Sequence, residues 1–400
     1  MWNMKPDYSI CVTCKGSRRL CGLEFCPHIQ KLSYQLEAAP EMRQEVFGPS
    51  PPNVFVGHYN YPVVNWGPMV SLGQNSDTPG DWYGLDYGEV IRQRSMLVRG
   101  SRPQHVKTRE RLVLEAQDAV MSLKSVDMEV RFSKKPVFNM SFSGVLQPMG
   151  AVAPLDRMRV ADNPTIPRKV DSVVGEGLKA EQAMRELSSK GYENYYLMKL
   201  LTAGILGAPD DRKLVPTRWG ITATDDMLAK GAMERIRDYK ELGEFTVFSN
   251  EYLHNHFEIL LMPGSWEYEG FEAWAPGTVW TQGASSYKIV EEREPFEGRT
   301  KYADKQGGGY YAARYGVCEG LDGMKRQARA IVFREIYEGY MLPMGVWVIR
   351  ETVKKAFEKG GKKFASRDEA LADVFSRLRV PMRKYLEESF FLRQRRLTDF

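Results

Sequence analysis

Residues 245–262 have the sequence FTVFSNEYLHNHFEILLM, and this stretch indicates most clearly how the chain folds. It is rich in aromatic and aliphatic residues, which favour β-strands. Strand-like segments of this kind lie at Phe245–Phe248, His254–Met262 and Ala328–Ile336. Helical patterns follow at Val348–Glu358 and Arg367–Leu378. This mixture predicts an α+β fold with a mixed α/β body, whose sheet lies mainly in the C-terminal half.

Towards the N-terminus, a proline-rich stretch separates the regular patterns. A helix is predicted at Arg109–Leu123, a strand at Val126–Phe132, and a later helix with Thr224 as its cap. Prolines between residues 148 and 167 interrupt the pattern, so we place a domain boundary there. The predicted domains are a metal-binding knuckle at 1–35, an N-terminal body with a basic segment at 36–165, a C-terminal α+β domain at 166–380, and a helix with a docking tail at 381–400.

The composition is that of a globular protein with sizeable hydrophobic cores. Of the 400 residues, 43% are hydrophobic, and the formal net charge is +5. The sequence has no run of about 18 apolar residues, so we expect no membrane span. The first residues lack the charged-then-apolar order of a secretory signal, and we therefore expect a cytoplasmic protein.

Four of the five cysteines lie close together near the N-terminus, at Cys11, Cys14, Cys21 and Cys26. In a chain without an export signal, clustered thiols are typical of metal ligands rather than disulfides. Four thiolates suit a closed tetrahedral zinc site, which would fold the N-terminus but has no open position for chemistry. An iron–sulfur cluster is the alternative, because Pro27 follows the last cysteine.

A strongly basic segment lies between Ile91 and Arg111, with Glu110 as its one acidic residue. Its cations are Arg92, Arg94, Arg99, Arg102, Lys107, Arg109 and Arg111. Gly100 and Pro103 predict a loop here, and cations that share its surface would bind the phosphates of DNA. The alternative is a solvated face whose cations have partners elsewhere in the fold.

Histidines and glutamates that could support catalysis lie in the predicted strand His254–Met262 and just after it, at His254, His256, Glu258, Glu267 and Glu269. In a strand, His254, His256 and Glu258 would lie on one face and could hold a divalent metal or supply a general base. A nuclease would use such ligands to bind Mg²⁺ or Mn²⁺. No diagnostic motif is present, and a half-buried strand with surface histidines is the alternative. The catalytic residues therefore stay unassigned.

Two further segments could contact phosphates or bases. Consecutive glycines precede a helix and have cations nearby, in the set Arg299, Lys301, Gly307, Gly308, Gly309 and Arg314. Backbone amides in such a loop can approach phosphate, although a flexible turn is the alternative. Arg218 and Trp219 form a cationic and aromatic element that could stack a base, but such a tryptophan is more often part of a core.

The sequence ends in QRRLTDF, which places Gln394, Leu397 and Phe400 three positions apart. In a one-turn helix these residues share a face, so Leu397 and Phe400 would enter one apolar pocket while Gln394 hydrogen-bonds beside it. The pattern resembles the peptide that recruits replication and repair proteins to the sliding clamp PCNA. Packing of the tail on the parent domain is the alternative. Just upstream, Pro381–Arg393 predicts an amphipathic helix.

Several of these features together resemble the archaeal Nre family of DNA repair proteins. They are the four-cysteine cluster, the segments 48–52, 55–57 and 214–220, and the clamp-like tail. The likeness spans nearly the whole chain. It implies an archaeal cytosolic protein that the sliding clamp directs to DNA damage, with zinc on the four clustered cysteines and clamp contacts by Gln394, Leu397 and Phe400.

The leading hypothesis is a DNA repair factor that binds damaged or branched DNA with its basic segment and is recruited by PCNA. Tethering to the clamp would raise the local concentration of the protein at DNA without tight intrinsic affinity. The first alternative is a metal-dependent nuclease acting in repair. The second is a nucleotide-binding transferase that uses the glycine loop. Whether the protein is an enzyme is left open.

Overall fold

The structure, a computed structural model, describes residues 13–14, 18, 20, 26–73, 76–138, 150–278, 280–281, 284–340 and 342–393. Two compact units can be distinguished in it. The first contains Pro27–Phe142 and Pro148–Leu228, and the second contains the C-terminal part from Ala229 onward. Within the described part of the chain, no helix is both long and apolar enough to cross a membrane.

The first unit is built on a mixed sheet of six strands. These are β1 (Glu45–Ser50), β2 (Val54–Val56), β3 (Val63–Ser71), β4 (Leu97–His105), β5 (Val126–Phe132) and β6 (Val152–Val160). Their order is β1-β5-β6-β4-β3-β2, with β4 and β6 parallel and all other neighbours antiparallel. The helices are α1 (Pro27–Ala38), α2 (Tyr87–Ser95), α3 (Arg111–Val120), α4 (Arg168–Glu176), α5 (Ala180–Ser189), α6 (Asn194–Thr202) and the start of α7 (Thr217–Ile236).

The expectation that the sheet lies mainly in the C-terminal half is therefore wrong. Gly100 and Pro103, which predict a loop, lie inside β4. A Cβ atom on Gly100 would come within 2.8 Å of Pro68 Cδ, so the close approach of the paired strands β3 and β4 requires glycine here. Pro103 lies opposite Asn65 of β3, whose carbonyl accepts from Gly57 N instead, and beyond the part of β4 that pairs with β6. Its missing N–H therefore removes no hydrogen bond from the sheet.

The second unit has its own mixed sheet of six strands. These are β7 (Phe245–Tyr252), β8 (Asn255–Met262), β9 (Glu267–Trp274), β10 (Lys288–Glu294), β11 (Arg329–Ile336) and β12 (Lys362–Phe364), in the order β10-β9-β11-β8-β7-β12. Its helices are α8 (Gly308–Met324), α9 (Trp347–Lys359), α10 (Arg367–Phe375), α11 (Met382–Glu388) and α12 (Phe390–Arg393). Phe271, Phe333 and Tyr385 pack together in the core, with ring centroids 5.1 to 5.5 Å apart.

The structure confirms the α+β class and corrects two local predictions. Thr224 does not cap a helix, because it lies within α7, which begins directly after Pro216. The helix predicted at Pro381–Arg393 is interrupted at Ser389, whose backbone is extended and whose hydroxyl donates to Glu269. In addition, β6 occupies the middle of the proline-rich stretch in which the sequence suggested a domain boundary.

Candidate nucleic-acid interface

Two large aromatic side chains, Tyr61 and Trp219, meet on the surface of the first unit. Their ring centroids are 5.3 Å apart, with a tilt of 50° between the ring planes. Tyr61 is 42% exposed and Trp219 is 46% exposed. The adjacent Tyr59 is exposed as well. Neighbouring exposed aromatic side chains can form a contact surface for a ligand, so we treat the pair as a candidate interaction site.

Backbone hydrogen bonds bring three distant segments together at this point. Pro62 O accepts a hydrogen bond from Val106 N at 2.9 Å, and Val106 O accepts one from Leu214 N at 2.8 Å. The hydroxyl of Thr217 accepts a hydrogen bond from Val56 N at 2.9 Å, which ties the start of α7 to β2. The start of β3, the end of β4 and the start of α7 are therefore neighbours.

Exposed cations lie on two of these three segments. Lys107 and Arg109 follow β4, and Arg218 precedes Trp219 in the chain; all three are exposed. Lys107 Nζ donates to the backbone carbonyl of residue 210 at 3.4 Å, and Arg109 Nη2 donates to that of residue 209 at 2.6 Å. These acceptors are neutral, so the side-chain charges are not cancelled by a carboxylate. We call Tyr61, Lys107, Arg109, Arg218 and Trp219 the aromatic-basic surface.

Two arginines of the predicted phosphate-binding strip, Arg94 and Arg99, are set apart from this surface by their packing. Arg94 lies 4.8 Å from the ring centroid of Trp82, and Arg99 lies 4.6 Å from that of Phe55. Burial, followed by repulsion from Arg94, lowers the pKa of Arg99 to about 10. Burial also lowers the pKa of Arg94. These two guanidinium groups are half-buried against aromatic rings rather than displayed on a loop.

Arg92, Arg102 and Arg111 lie on different elements. On α2, Arg92 Nη1 donates to Glu89 at 2.6 Å. On β4, Arg102 Nη2 lies 3.4 Å from a carboxylate oxygen of Glu110. Arg111 begins α3 and is exposed. The alternative that some cations have partners within the fold therefore describes Arg92 and Arg102.

The histidine and glutamate group of the second unit is held by an ion pair. His254 lies in the turn before β8 with a φ of 60°, so it is not on the strand. Glu258 accepts hydrogen bonds from Arg377 Nε and Nη2, both at 2.7 Å, from Ser249 Oγ at 2.7 Å and from His256 Nε2 at 2.8 Å. Burial alone would raise the pKa of Glu258, but these donors lower it. Three of these hydrogen bonds end on Oε1 and one on Oε2, so donors within the fold already occupy most of the acceptor capacity of this carboxylate.

Glu267 and Glu269 are engaged elsewhere in the second unit. Glu267 forms an ion pair with Arg329. Glu269 is fully buried and accepts hydrogen bonds from Ser389 Oγ and from Phe390 N. Burial raises the pKa of Glu269 to about 7 despite these donors. Glu269 therefore fixes the junction between α11 and α12, and within the described residues no group of three or more His, Cys, Asp or Glu side chains could hold a metal ion.

The glycines predicted to approach phosphate instead allow helix–strand packing. Gly307 has a φ of 56° and precedes α8, so a conformation that favours glycine starts this helix. A Cβ atom on Gly309 would overlap Glu272 Oε1 on β9. The start of α8 therefore packs against the buried ion pair of Glu272 with Arg334, which leaves no room for a phosphate at Gly309.

The cations beside the glycine loop also have acidic partners. Arg314 is fully buried and forms an ion pair with Glu294, which is also buried. Arg299 Nη2 lies 2.9 Å from Glu292 Oε2. Lys301 is exposed. Of the three cations in the predicted phosphate-binding set, Arg299 and Arg314 thus neutralise carboxylates of β10.

The two other predicted sites lie partly or wholly outside the described residues. Cys14 is buried and Cys26 is half-buried, whereas Cys11 and Cys21 fall outside the described part. Gln394, Leu397 and Phe400 fall outside it as well. The metal site and the clamp-binding tail stay predictions.

Two sequence profiles of one family together span most of the chain. The profile described as Archaeal Nre, N-terminal, matches residues 20–281, and the one described as Archaeal Nre, C-terminal, matches residues 294–400. The chain therefore belongs to the archaeal Nre family, as its motifs predicted.

Curated relatives agree with this assignment. DNA repair protein NreA of Archaeoglobus fulgidus is 36% identical over 374 residues, covering 92% of this chain and 93% of the relative. DNA repair protein NreB of the same organism is 36% identical over 398 residues, covering 98% and 99%. DNA repair protein NreA of Haloferax volcanii is 33% identical over 353 residues, covering 84% of each. No solved structure matches the chain.

Proposed function

We propose that this protein is a DNA repair factor that binds DNA through the aromatic-basic surface of its first unit. Membership of a family whose curated members are named DNA repair proteins supports the repair role. The observation that carries the binding role is the exposed Tyr61–Trp219 pair beside three exposed cations, Lys107, Arg109 and Arg218.

The physical basis is complementarity to an anionic polymer with aromatic bases. Lysine and arginine side chains displace counterions from the phosphates, which gives affinity that falls as salt rises. Aromatic rings add contacts with bases or sugars that are independent of charge. In the second unit, by contrast, Glu258 is paired with Arg377 and Arg314 with Glu294, so these groups stabilise the fold and are not displayed to a ligand.

Recruitment by the sliding clamp PCNA is the second part of the proposal, with Gln394, Leu397 and Phe400 as the contacts. The residues just before this tail support it, because Phe391 and Leu392 are buried in the second unit. The hydrogen bonds to Glu269 hold the same junction in place. A tail that follows such an anchored helix is tethered directly to the folded body, and clamp binding would concentrate the first unit at DNA.

The test is DNA binding measured by fluorescence anisotropy at several salt concentrations, with labelled duplex, single-stranded and branched DNA. We expect the double variant Lys107→Ala/Arg109→Ala to bind more weakly and to lower the slope of log K against log salt by about two. The matched control is Lys134→Ala/Lys135→Ala, which removes two exposed cations elsewhere in the first unit.

An equal loss in both double variants, or no binding by the unaltered protein, would contradict the proposal. Repeating the incubations with Mg²⁺ or Mn²⁺ covers the nuclease alternative, for which cleavage would be the sign. A pull-down with immobilised clamp tests recruitment separately, since Phe400→Ala should abolish capture without changing DNA affinity.

A further inference from the structure

The aromatic-basic surface has features that distinguish single-stranded DNA from a duplex. We infer that it binds unpaired bases, with one base stacked on Trp219 and the flanking phosphates held by Arg218 and Lys107. This inference rests on the proposed function and names the form of DNA that the surface recognises.

The first argument is the exposure of Trp219. Trp66, Trp82 and Trp266 are no more than 1% exposed, and Trp274 and Trp347 are also buried. Trp219, at 46%, has the largest exposed fraction that the structure gives for any tryptophan it describes. An exposed indole costs free energy in water, because its apolar area gains nothing from burial. A ligand with a flat aromatic face would recover that free energy.

The second argument is the arrangement of the two rings. The 50° tilt between Tyr61 and Trp219 prevents full face-to-face overlap, so each side chain keeps nearly half of its surface open. Bases in a duplex are already stacked on one another and paired. Only an unpaired base can therefore place its face against Trp219 without first being extruded from a helix.

The third argument is charge. Arg218 and Trp219 lie in the first turn of α7, where the helix dipole adds a positive potential. Arg218 also contributes to the lowered pKa of His58, for which burial is the main cause. Asp210 and Asp211 are exposed, and Lys107 Nζ donates a hydrogen bond to the backbone carbonyl of Asp210. The positive charges of Arg218, next to Trp219, and of Lys107, just after β4, fit a phosphate chain better than an apolar protein surface.

The test compares binding of a labelled oligothymidine with binding of a blunt duplex of the same length. We expect Trp219→Ala to weaken binding of the oligothymidine by about 5- to 150-fold, since stacking of one base on an aromatic residue has this value. Trp219→Phe should retain most of the affinity. Affinity for the duplex should change less than about twofold in either variant.

The matched control is Phe47→Ala, which removes an aromatic residue that is 69% exposed on β1, at the opposite edge of the sheet from β2. It should leave both affinities unchanged. A second readout is tryptophan fluorescence, which oligothymidine should quench in the unaltered protein and not in Trp219→Phe.

The possible failures are distinguishable. If the unaltered protein binds neither DNA, the proposed function itself fails. If it binds DNA with a normal salt dependence but Trp219→Ala changes neither affinity, only the stacking inference is overturned. Equal weakening on single strand and duplex would also overturn it, because the surface would then be a general contact.

Discussion

Replacing Arg377 tests whether Glu258 is a structural anion or a group available for chemistry. The side chain of Glu258 has no exposed surface, and Arg377 supplies two of its four hydrogen bonds, each 2.7 Å long. In Arg377→Met the apolar stem of the side chain is kept and the charge is lost. Glu258 would then be a buried carboxylate with only Ser249 and His256 as donors.

The expected cost follows from the burial of the two partners. Removing one member of a buried ion pair costs about 3–5 kcal/mol, because the other charge is left without compensation. The Arg377 side chain is 33% exposed, so water already screens part of the interaction. We therefore expect the lower end of the range, a loss of about 3 kcal/mol in the free energy of unfolding.

The assay is urea unfolding followed by circular dichroism and tryptophan fluorescence. Arg383→Met is the control, because Arg383 is an exposed arginine of α11, and it should change stability by less than about 0.5 kcal/mol. Arg377→Met/Glu258→Gln should be more stable than Arg377→Met alone, since the uncompensated charge of Glu258 is gone, while Asp373, the other partner of Arg377, keeps Lys362 in both variants. The reasoning is refuted if Arg377→Met is as stable as the control, or if the double variant loses the sum of the two single effects.

The remaining predictions concern pH, the tail and the metal. The folded pKa of Glu269, about 7, exceeds its unfolded value of 4.5, so its stabilising contribution is present below pH 4.5 and is lost as pH rises through 7. In Glu269→Gln the free energy of unfolding should fall by about 3 kcal/mol less over this pH range than in the unaltered protein. Urea unfolding at several pH values measures this, and the same pH dependence in both proteins would contradict the prediction. Deleting residues 394–400 should abolish capture by immobilised PCNA, and retained capture would exclude the tail as the contact. The protein should carry one zinc per chain, and Cys14→Ser should lower that ratio in metal analysis; visible absorbance from iron would instead favour a cluster.

The sequence correctly predicted those helices and strands in which the local pattern of apolar residues matches the burial pattern in the fold. Val126–Phe132 alternates buried and less buried residues and is strand β5 with the predicted limits. Strand β4 was missed, because Gly100 and Pro103 signal a loop in isolation. The close approach of β3 and β4 favours glycine at position 100, and the early end of the β4–β6 pairing makes Pro103 acceptable. Neither fact is visible in the sequence.

Individual residues of the candidate interface could be chosen from the sequence, but their proximity in the fold could not. The sequence predicts Lys107 and Arg109 as phosphate ligands and Trp219 as a residue able to stack on a base, and these roles stay predictions. Their proximity depends on hydrogen bonds between segments far apart in sequence, and Tyr61 joins them only through the fold. Arg94 and Arg99 have the same charge as Lys107, but packing against aromatic rings sets them apart. Burial of this kind depends on tertiary contacts, which cannot be inferred from the composition of the sequence or from the spacing of its residues.

Amide hydrogen exchange with and without single-stranded DNA tests the central claim most directly. If the first unit binds DNA as proposed, protection should concentrate at residues 58–63, 105–111 and 212–220, and it should weaken as salt is added. Protection confined to the second unit, for example at residues 299–314, or no protection anywhere in the first unit, would contradict the account.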